Sequence, residues 1–295
     1  MISQRQPTSS LPETRVSRKP QRSLYSIDES ASSLPMSSIL LLPSHRPGRK
    51  MWASPLDPNP DKSFGDTILQ KQNGSIRLFF QNVKGLTYST AGEDYRYYLS
   101  CLKSYEVDIA GLAETNTCWT HPHICSDFRH ILRRQYSQSK VIFGSPTKDL
   151  DLCLPTETFQ SGGNLTLATD RMVSCVNGDI DLSDITGLGR WSGISLMGRD
   201  NTYLSIITAY RVCSGSTRTA PLGSAFLREY EYFRSQHKRH NNPRQEFLND
   251  MAKLIHRLQD MGHMIILMLD ANATVETDSK LASFLQECNL FDLHH

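Results

Sequence analysis

The sequence lacks an early apolar run that could cross a bilayer, because residues 39–42 fall far short of the roughly 20 apolar residues that a membrane-spanning helix needs. Its polar N-terminus shows no secretory signal. The net charge is only +2, from 32 basic and 30 acidic residues, so any affinity for nucleic acid must come from local patches. We therefore expect an intracellular protein that is neither secreted nor bound to a membrane. A nuclear location stays open, and no obligate protein partner is indicated.

The cysteines number seven, an odd count at scattered spacings, which does not fit the framework of a disulfide-stabilised domain. Cys118, His121, His123 and Cys125 could in principle bind zinc. Structural zinc sites normally use two ligand pairs separated by a longer loop, whereas these four residues lie close together with Pro122 among them. The pattern therefore favours reduced thiols and a plain loop over a zinc site.

Residues 1–72 are rich in Ser, Pro and Arg and show no sustained period of 2 or 3.6, which predicts a disordered tail. Basic residues outnumber acidic ones in this range, so the tail could contact phosphate groups or act as a nuclear address. A solvated tail without a specific role is the favoured alternative. The remaining residues, 73–295, are predicted to form one domain.

This domain begins with a predicted strand at 76–82, a helix at 93–105 and a strand at 107–113, which together form a βαβ unit. The predicted apolar stripe of the helix comprises Tyr97, Cys101 and Leu102. Short strand-like runs without intervening helices follow and indicate antiparallel neighbours; they lie at 141–143, 164–168, 172–176, 193–197 and 203–209.

Helices return in the last third of the chain. Phe226, Tyr230 and Phe233 share one helical face, which is typical of core packing. Another helix has Asn242 as N-cap, Pro243 in the first position and Gln245 as the predicted capping-box partner. Its predicted apolar stripe comprises Phe247, Met251, Leu254, Ile255 and Leu258, and Gly262 ends it. A strand at 264–269 and a helix at 280–288 complete the pattern, which predicts an α/β protein with helices outside mixed sheets.

Polar side chains stand where the apolar strands end: Asn82, Glu114, Tyr210, Asp270 and Asn272. Strand ends of a layered α/β fold form the rim of a cleft. Two carboxylates and amide oxygens are hard ligands that suit Mg²⁺ or Mn²⁺. Each residue also has a simpler explanation, because an Asp-x-Asn sequence after a strand is often only a turn, and Glu114 could cap the segment that follows.

Five segments in this order resemble the motifs of the endonuclease/exonuclease/phosphatase superfamily: QNVKGL at 81–86, LAET at 112–115, GGNL at 162–165, TAY at 208–210 and LDAN at 269–272. The resemblance covers about residues 76–295, and the pattern is most similar to endonuclease domains of non-LTR retroelements. It implies a DNase I-like fold, an α/β two-sheet sandwich of mixed strands flanked by helices. It also implies Mg²⁺-dependent hydrolysis of phosphodiesters in nucleic acid, with DNA favoured over RNA.

The resemblance also assigns roles to individual residues. Glu114 would bind Mg²⁺ (or Mn²⁺) and Asn82 would support it. Tyr210 would lie near the scissile phosphate, Asp270 would position or activate the attacking water, and Asn272 would stabilise the transition state. Two basic residues beside these motifs, Arg211 and Lys84, are the predicted contacts to nucleic-acid phosphates. A locally basic stretch at 234–240, followed by Arg244, is predicted to be a solvated helix end, with phosphate contact as the alternative.

Two departures from the family pattern keep other functions open. Lys84 stands where some members have an acidic residue, and the family's final Asp-His pair is absent, so the domain is expected to be incomplete at its C-terminus. Asp292, His294 and His295 come too early for that pair and are not assigned to it. The chain could therefore be an endonuclease, a retroelement-derived fragment with weak or no activity, a catalytically dead binding module of the same fold, or a phosphatase of the same superfamily.

Overall fold

The structure of the chain is a computed structural model, and it describes residues 40–41, 70–86, 93–146, 158–221, 223–236 and 242–293. The predicted disordered tail therefore lies outside the described residues, except for 40–41 and 70–72. The two residues Leu40–Leu41 form a short parallel strand beside Arg77–Leu78. None of the described helices is long and apolar enough to cross a membrane.

Nine strands and five α-helices make up the described part of the chain. The strands are β1 Leu40–Leu41, β2 Arg77–Asn82, β3 Ile109–Ala113, β4 Ser139–Gly144, β5 Asn164–Thr169, β6 Val176–Asn177, β7 Trp191–Met197, β8 Tyr203–Tyr210 and β9 His263–Asp270. The helices are α1 Glu93–Ser104, α2 Pro122–Gln135, α3 Ala225–Ser235, α4 Pro243–Asp260 and α5 Ser279–Glu287.

The strands form two mixed sheets. The first has the order β1-β2-β3-β5-β4, in which β1, β2 and β3 are parallel and β5 runs antiparallel to both β3 and β4. The second has the order β6-β7-β8-β9, antiparallel except for the parallel pair β8 and β9. This architecture confirms the predicted sandwich of mixed strands flanked by helices, including the opening βαβ unit.

The sandwich has an inner core between the sheets and an outer core on each side. Leu78 and Ile109 of the first sheet pack in one cluster with Ile194, Ile206 and Met268 of the second. The helices α1 and α2 cover the outer face of the first sheet, and α4 and α5 cover that of the second. Burying apolar side chains on both faces of each sheet is what holds such a layered fold together.

Two predicted elements differ from the structure. The predicted strand at 172–176 is instead a 3-10 helix, Asp170–Cys175, with only Val176–Asn177 extended. The chain turns there because Asp170 adopts φ +43° and its N–H donates to the Gln138 carbonyl. The predicted loop around Cys118–Cys125 contains the start of α2, which begins at Pro122 because proline fits the first turn of a helix.

Two further corrections concern helix details. The buried stripe of α1 is Tyr95, Leu99 and Leu102, at spacings of four and three, whereas Tyr97 is 43% exposed. Asn242 caps α4 as predicted, since its side chain accepts from the Arg244 N–H. Among the described residues, the Gln245 side chain donates to Asn249 Oδ1 and forms no capping box with Asn242. The predicted apolar stripe of α4 is buried throughout.

The two sheets lie close together at Gly111. A Cβ atom at Gly111 would collide with Thr208 Oγ1 and lie 2.6 Å from Met268 Cε across the sandwich. We expect Gly111→Ala to lower the free energy of unfolding by about 1–3 kcal/mol, because extra volume in a packed core forces side chains and backbone to shift. Urea denaturation followed by circular dichroism measures this. Gly178→Ala is the matched control because nothing lies within 4 Å of a Cβ there; equal unfolding midpoints for the two variants would contradict the prediction.

Candidate active site

The ends of strands from both sheets meet at one amide. Asn82 ends β2, Glu114 directly follows β3, and Asp270 ends β9. The Asn82 Nδ2 atom donates to Glu114 Oε2 at 2.7 Å and to Asp270 Oδ2 at 2.5 Å. The two carboxylates, far apart in sequence, therefore lie within hydrogen-bond distance of a single nitrogen atom.

The orientation of the Asn82 amide is fixed by the turn that follows it. The Lys84 N–H donates to Asn82 Oδ1 at 2.8 Å, which leaves the NH₂ group to face the carboxylates. Lys84 adopts φ +50° and Glu114 adopts φ +53°, both in the left-handed region that non-glycine residues rarely occupy. Such backbone strain concentrates at functional sites, where the surrounding structure must hold it in place.

Asp270 and Asn272 form a short turn against the end of β8. Asp270 Oδ1 accepts from the Asn272 N–H at 3.0 Å. The Asn272 side chain donates through Nδ2 to the Arg211 carbonyl at 2.7 Å and accepts from Cys213 Sγ at 3.2 Å. Both functional groups of the Asn272 amide are thus anchored, and one N–H of its NH₂ group remains to act as a donor.

Tyr210 lies beside the carboxylates. Its side chain is buried, and its hydroxyl is 4.0 Å from Cys213 Sγ. Burial raises the pKa of Tyr210, and the negative charges of Glu114 and, to a smaller extent, Asp270 raise it further. The phenol therefore keeps its proton at neutral pH and serves as a hydrogen-bond donor.

A pair of glycines places a second turn against the Glu114 segment. Gly162 and Gly163 adopt φ +86° and +75°, which glycine tolerates without a Cβ penalty. The Asn116 side-chain oxygen accepts from the Gly162 N–H at 2.8 Å, and the Thr115 N–H donates to the Gly163 carbonyl at 3.0 Å. Asn116 was not among the predicted site residues, although its place directly after the LAET motif at 112–115 could have indicated it.

The donor chemistry of this cluster fits a divalent cation. Glu114 and Asp270 are half-buried, and neither forms an ion pair among the described residues. Two neighbouring carboxylates without a cationic partner suit a hard ion such as Mg²⁺ or Mn²⁺, with water completing the coordination. Within the described ranges, no group of three or more His, Cys, Asp and Glu side chains could hold a metal. The fit rests on the two carboxylates with Asn82 beside them.

A solved AP endonuclease structure shares this architecture. The AP endonuclease LMAP from Leishmania major aligns with a TM-score of 0.50 at 14% identity, over 72% of this chain and 66% of that one. An endonuclease/exonuclease/phosphatase family protein from Leptotrichia buccalis aligns with a TM-score of 0.40 at 9% identity, over 72% and 74% of the two chains. No protein-family model matches the chain, and no curated protein matches it significantly in sequence.

The chain shares the fold of this AP endonuclease. It spans 66% of the length of the AP endonuclease, just under two thirds. At 14% identity the likeness establishes the fold alone. Activity and substrate must be argued from the site.

The fold does not bring Arg211 to the cleft as predicted. Tyr210 faces the carboxylates, and the next side chain along an extended backbone points the opposite way. The Arg211 guanidinium is buried, donates to Asp278 Oδ2 at 2.8 Å and to the Arg244 carbonyl at 3.1 Å, and is not available to a phosphate. Arg244, predicted to lie on a solvated helix end, is also buried.

The remaining predicted basic contacts stay predictions. Lys84 is exposed beside Asn82 in this fold. Arg234 pairs with Glu231 on the surface of α3, and residues 237–240 lie outside the described residues. The predicted site residues that the fold does bring together are therefore Asn82, Glu114, Tyr210, Asp270 and Asn272.

Proposed function

We propose that the chain is a divalent-metal-dependent phosphodiesterase that cuts nucleic acid as an endonuclease, with DNA favoured over RNA. The observation that carries the proposal is the meeting of Glu114 and Asp270 at the Asn82 amide, which presents two carboxylates without a cationic partner among the described residues. Origin from a non-LTR retroelement remains a prediction from the sequence motifs.

The residues divide the work of hydrolysis between them. Glu114 and Asp270 would hold Mg²⁺ or Mn²⁺, and the bound ion would supply positive charge to the phosphate in the transition state. Asp270 would orient a water facing the phosphorus and take its proton as the water oxygen bonds to phosphorus and one ester oxygen leaves, to be protonated from solvent. The protonated Tyr210 hydroxyl and the second N–H of Asn272 donate to phosphate oxygens as negative charge develops on them. Asn82 keeps the two carboxylates close together while they do this.

A catalytically inactive binding module of the same fold is the second candidate. Lys84 stands exposed next to Asn82, where a further carboxylate would strengthen ion binding. Two carboxylates can bind a divalent ion, and that ion can bind a phosphate, without efficient activation of a water molecule. This candidate predicts ion binding that depends on Glu114 but no cleavage. A phosphatase of the same superfamily would instead hydrolyse a soluble phosphomonoester without cutting DNA.

The test is nicking of supercoiled plasmid DNA by the 295-residue chain with Mg²⁺, Mn²⁺ or EDTA, with a single-stranded RNA assayed in parallel. We expect cleavage of DNA with either ion and none with EDTA. Asp270→Asn should reduce the rate about 10²–10⁴-fold, the contribution of a positioned acid–base group. The matched control, Asp260→Asn, changes an exposed carboxylate at the end of α4 and should leave the rate unchanged.

Each result has a defined meaning. Nicking by the Asp270→Asn variant at the wild-type rate would overturn the proposal. Absence of cleavage together with calorimetric binding of Mg²⁺ that requires Glu114 favours the binding module. Hydrolysis of para-nitrophenyl phosphate without nicking favours the phosphatase.

A further inference from the structure

Two buried arginines share one carboxylate directly behind the candidate site. Arg211 Nη1 lies 2.8 Å from Asp278 Oδ2, and Arg244 Nη2 lies 3.2 Å from the same oxygen. The other carboxylate oxygen of Asp278 accepts from the Lys280 and Leu281 N–H groups and so caps α5. Asp278 therefore joins the start of α5 to both guanidinium groups.

The Arg244 side chain also reaches the two loops that carry the site residues. Its Nη1 atom donates to the Val212 carbonyl at 2.6 Å, and its Nη2 atom donates to the Asn272 carbonyl at 3.4 Å. Val212 lies two residues after Tyr210, and Asn272 lies two residues after Asp270. One guanidinium thus touches both loops on the side opposite the cleft.

The position of Arg244 is itself well defined. It is in the first turn of α4, where its N–H is held by the Asn242 side chain at 2.9 Å and its carbonyl accepts from Arg211 Nε. The planar guanidinium offers five donors in a rigid arrangement, which a lysine cannot reproduce. The side chain can therefore transmit the position of α4 to both loops.

The loops need such a connection because the ladder between β8 and β9 ends at the site. The last paired residues are Tyr210 and Asp270, and the Arg211 N–H still donates to the Asp270 carbonyl at 2.9 Å. Beyond this point side chains hold the two segments together: Asn272 Nδ2 donates to the Arg211 carbonyl, and Arg244 donates to Val212 and Asn272.

Asp278 is negatively charged at neutral pH because its pKa is lowered. Burial alone would raise the pKa of Asp278, but the hydrogen bonds from Arg211 and from the Leu281 N–H lower it to about 2. The connection between the arginines and α5 therefore does not switch with pH in the neutral range.

We propose that Arg244 is a positioning residue of the candidate active site, which sets the spacing between the loop after Tyr210 and the loop that holds Asp270 and Asn272. The inference rests on the proposed function for its consequence in catalysis, but its structural content can be measured without any activity. Arg244 does not touch the substrate. It acts through the backbone carbonyls of Val212 and Asn272.

Cys213 supplies the measurement that is independent of activity. Its thiol is exposed and donates to Asn272 Oδ1 at 3.2 Å, so its reactivity depends on where the Asn272 loop lies. We expect Arg244→Lys to increase the rate of iodoacetamide labelling at Cys213 several-fold, measured by peptide mass spectrometry, because the loop loses its anchor. Cys101, half-buried on α1, serves as the internal reference and should react at an unchanged rate.

The activity measurement follows the same variant. Arg244→Lys should lower kcat for plasmid nicking about 10–10²-fold with KM nearly unchanged, because a displacement of about 1 Å at reacting groups has an effect of this size. Arg257→Lys is the matched control on the same helix, since Arg257 also donates to a backbone carbonyl, that of Asp181, but far from the site. This control should alter neither kcat nor the labelling of Cys213.

A second variant covers the case in which Arg244→Lys does not fold. Asp278→Asn keeps a good N-cap for α5 but removes the charge that the arginines share, and it should also accelerate labelling at Cys213. Labelling rates at Cys213 equal to wild type in the folded variants would overturn the inference, whatever the activity. Accelerated labelling in a chain whose wild type does not nick DNA would support the positioning of the loops and refute only the proposed function.

Discussion

Glu114→Gln is expected to abolish metal-dependent cleavage, with a loss of about 10³-fold or more. The change removes one of the two charges that face each other across the Asn82 amide while keeping the shape of the side chain. A bound ion contributes several kcal/mol of charge stabilisation in the transition state, and each 1.4 kcal/mol corresponds to a factor of ten in rate. Plasmid nicking in Mg²⁺ measures the rate, and isothermal titration calorimetry should show that binding of Mg²⁺ is lost in parallel.

The control for this variant is Glu287→Gln, which alters an exposed carboxylate at the end of α5. It should retain both cleavage and binding of Mg²⁺. The Glu114→Gln variant should also remain folded, because Glu114 accepts from Asn82 Nδ2 through an oxygen that glutamine retains. A folded Glu114→Gln variant that binds Mg²⁺ and nicks DNA like the wild type would disprove the assignment of Glu114.

Asp184→Asn is expected to have the largest effect on stability, lowering the free energy of unfolding by about 3–5 kcal/mol. Arg190 has a fully buried side chain that Asp184 binds through both carboxylate oxygens, at 2.8 and 2.9 Å, and that Asp250 binds at 3.0 Å. Removing one carboxylate leaves a buried guanidinium with too little compensating charge. The Arg190 carbonyl also accepts from the Tyr210 N–H, so a displacement of Arg190 should also displace Tyr210 in the candidate site.

The pH dependence of this contribution has a definite sign. Burial by itself would raise the pKa of Asp184, but the hydrogen bonds and charge of Arg190 outweigh burial and lower it. A carboxyl group with a lowered folded-state pKa contributes stability above its unfolded-state pKa and loses that contribution as the pH falls through its folded-state pKa. The wild type and Asp184→Asn should therefore differ most at neutral pH and converge in acid.

Urea denaturation at a series of pH values measures both effects. Asp179→Asn, at an exposed residue, is the control and should unfold like the wild type. If Asp184→Asn shifted the urea midpoint of unfolding no more than Asp179→Asn at pH 7, the ion pair of Asp184 and Arg190 would not contribute to stability.

Local sequence patterns were sufficient to predict most of the fold and the strand-end residues that lie together in the candidate site. Strand ends could be located because apolar runs stop at Asn82, Glu114 and Asp270, and parallel strands deliver such residues to one edge. The helix α2 could also have been found from Ile124, Phe128 and Ile131, whose spacing places them on one buried face. The residues Cys118, His121, His123 and Cys125 at the start of this segment favoured the prediction of a loop.

The positions of Arg211 and Arg244 could not be predicted from the sequence. A basic residue is normally exposed, so Arg211 was expected to face phosphate and Arg244 to face solvent. Their burial depends on Asp278, a partner 67 residues beyond Arg211 that no local pattern connects to it. Such contacts are set by how the helices and sheets pack, which composition and periodicity do not specify.

The hydrogen bond between Asn82 and Asp270 closes a loop of 188 residues. Contacts of such long sequence separation form late in folding. The entropic cost of closing the loop must be met before the favourable free energy of the contact is gained. Asn82 and Glu114 lie at strand ends of the first sheet and Asp270 at a strand end of the second, so fragments cut between the two sheets would not contain this cluster. Any ion bound there would also stabilise the entire domain against unfolding and not only the loops around it.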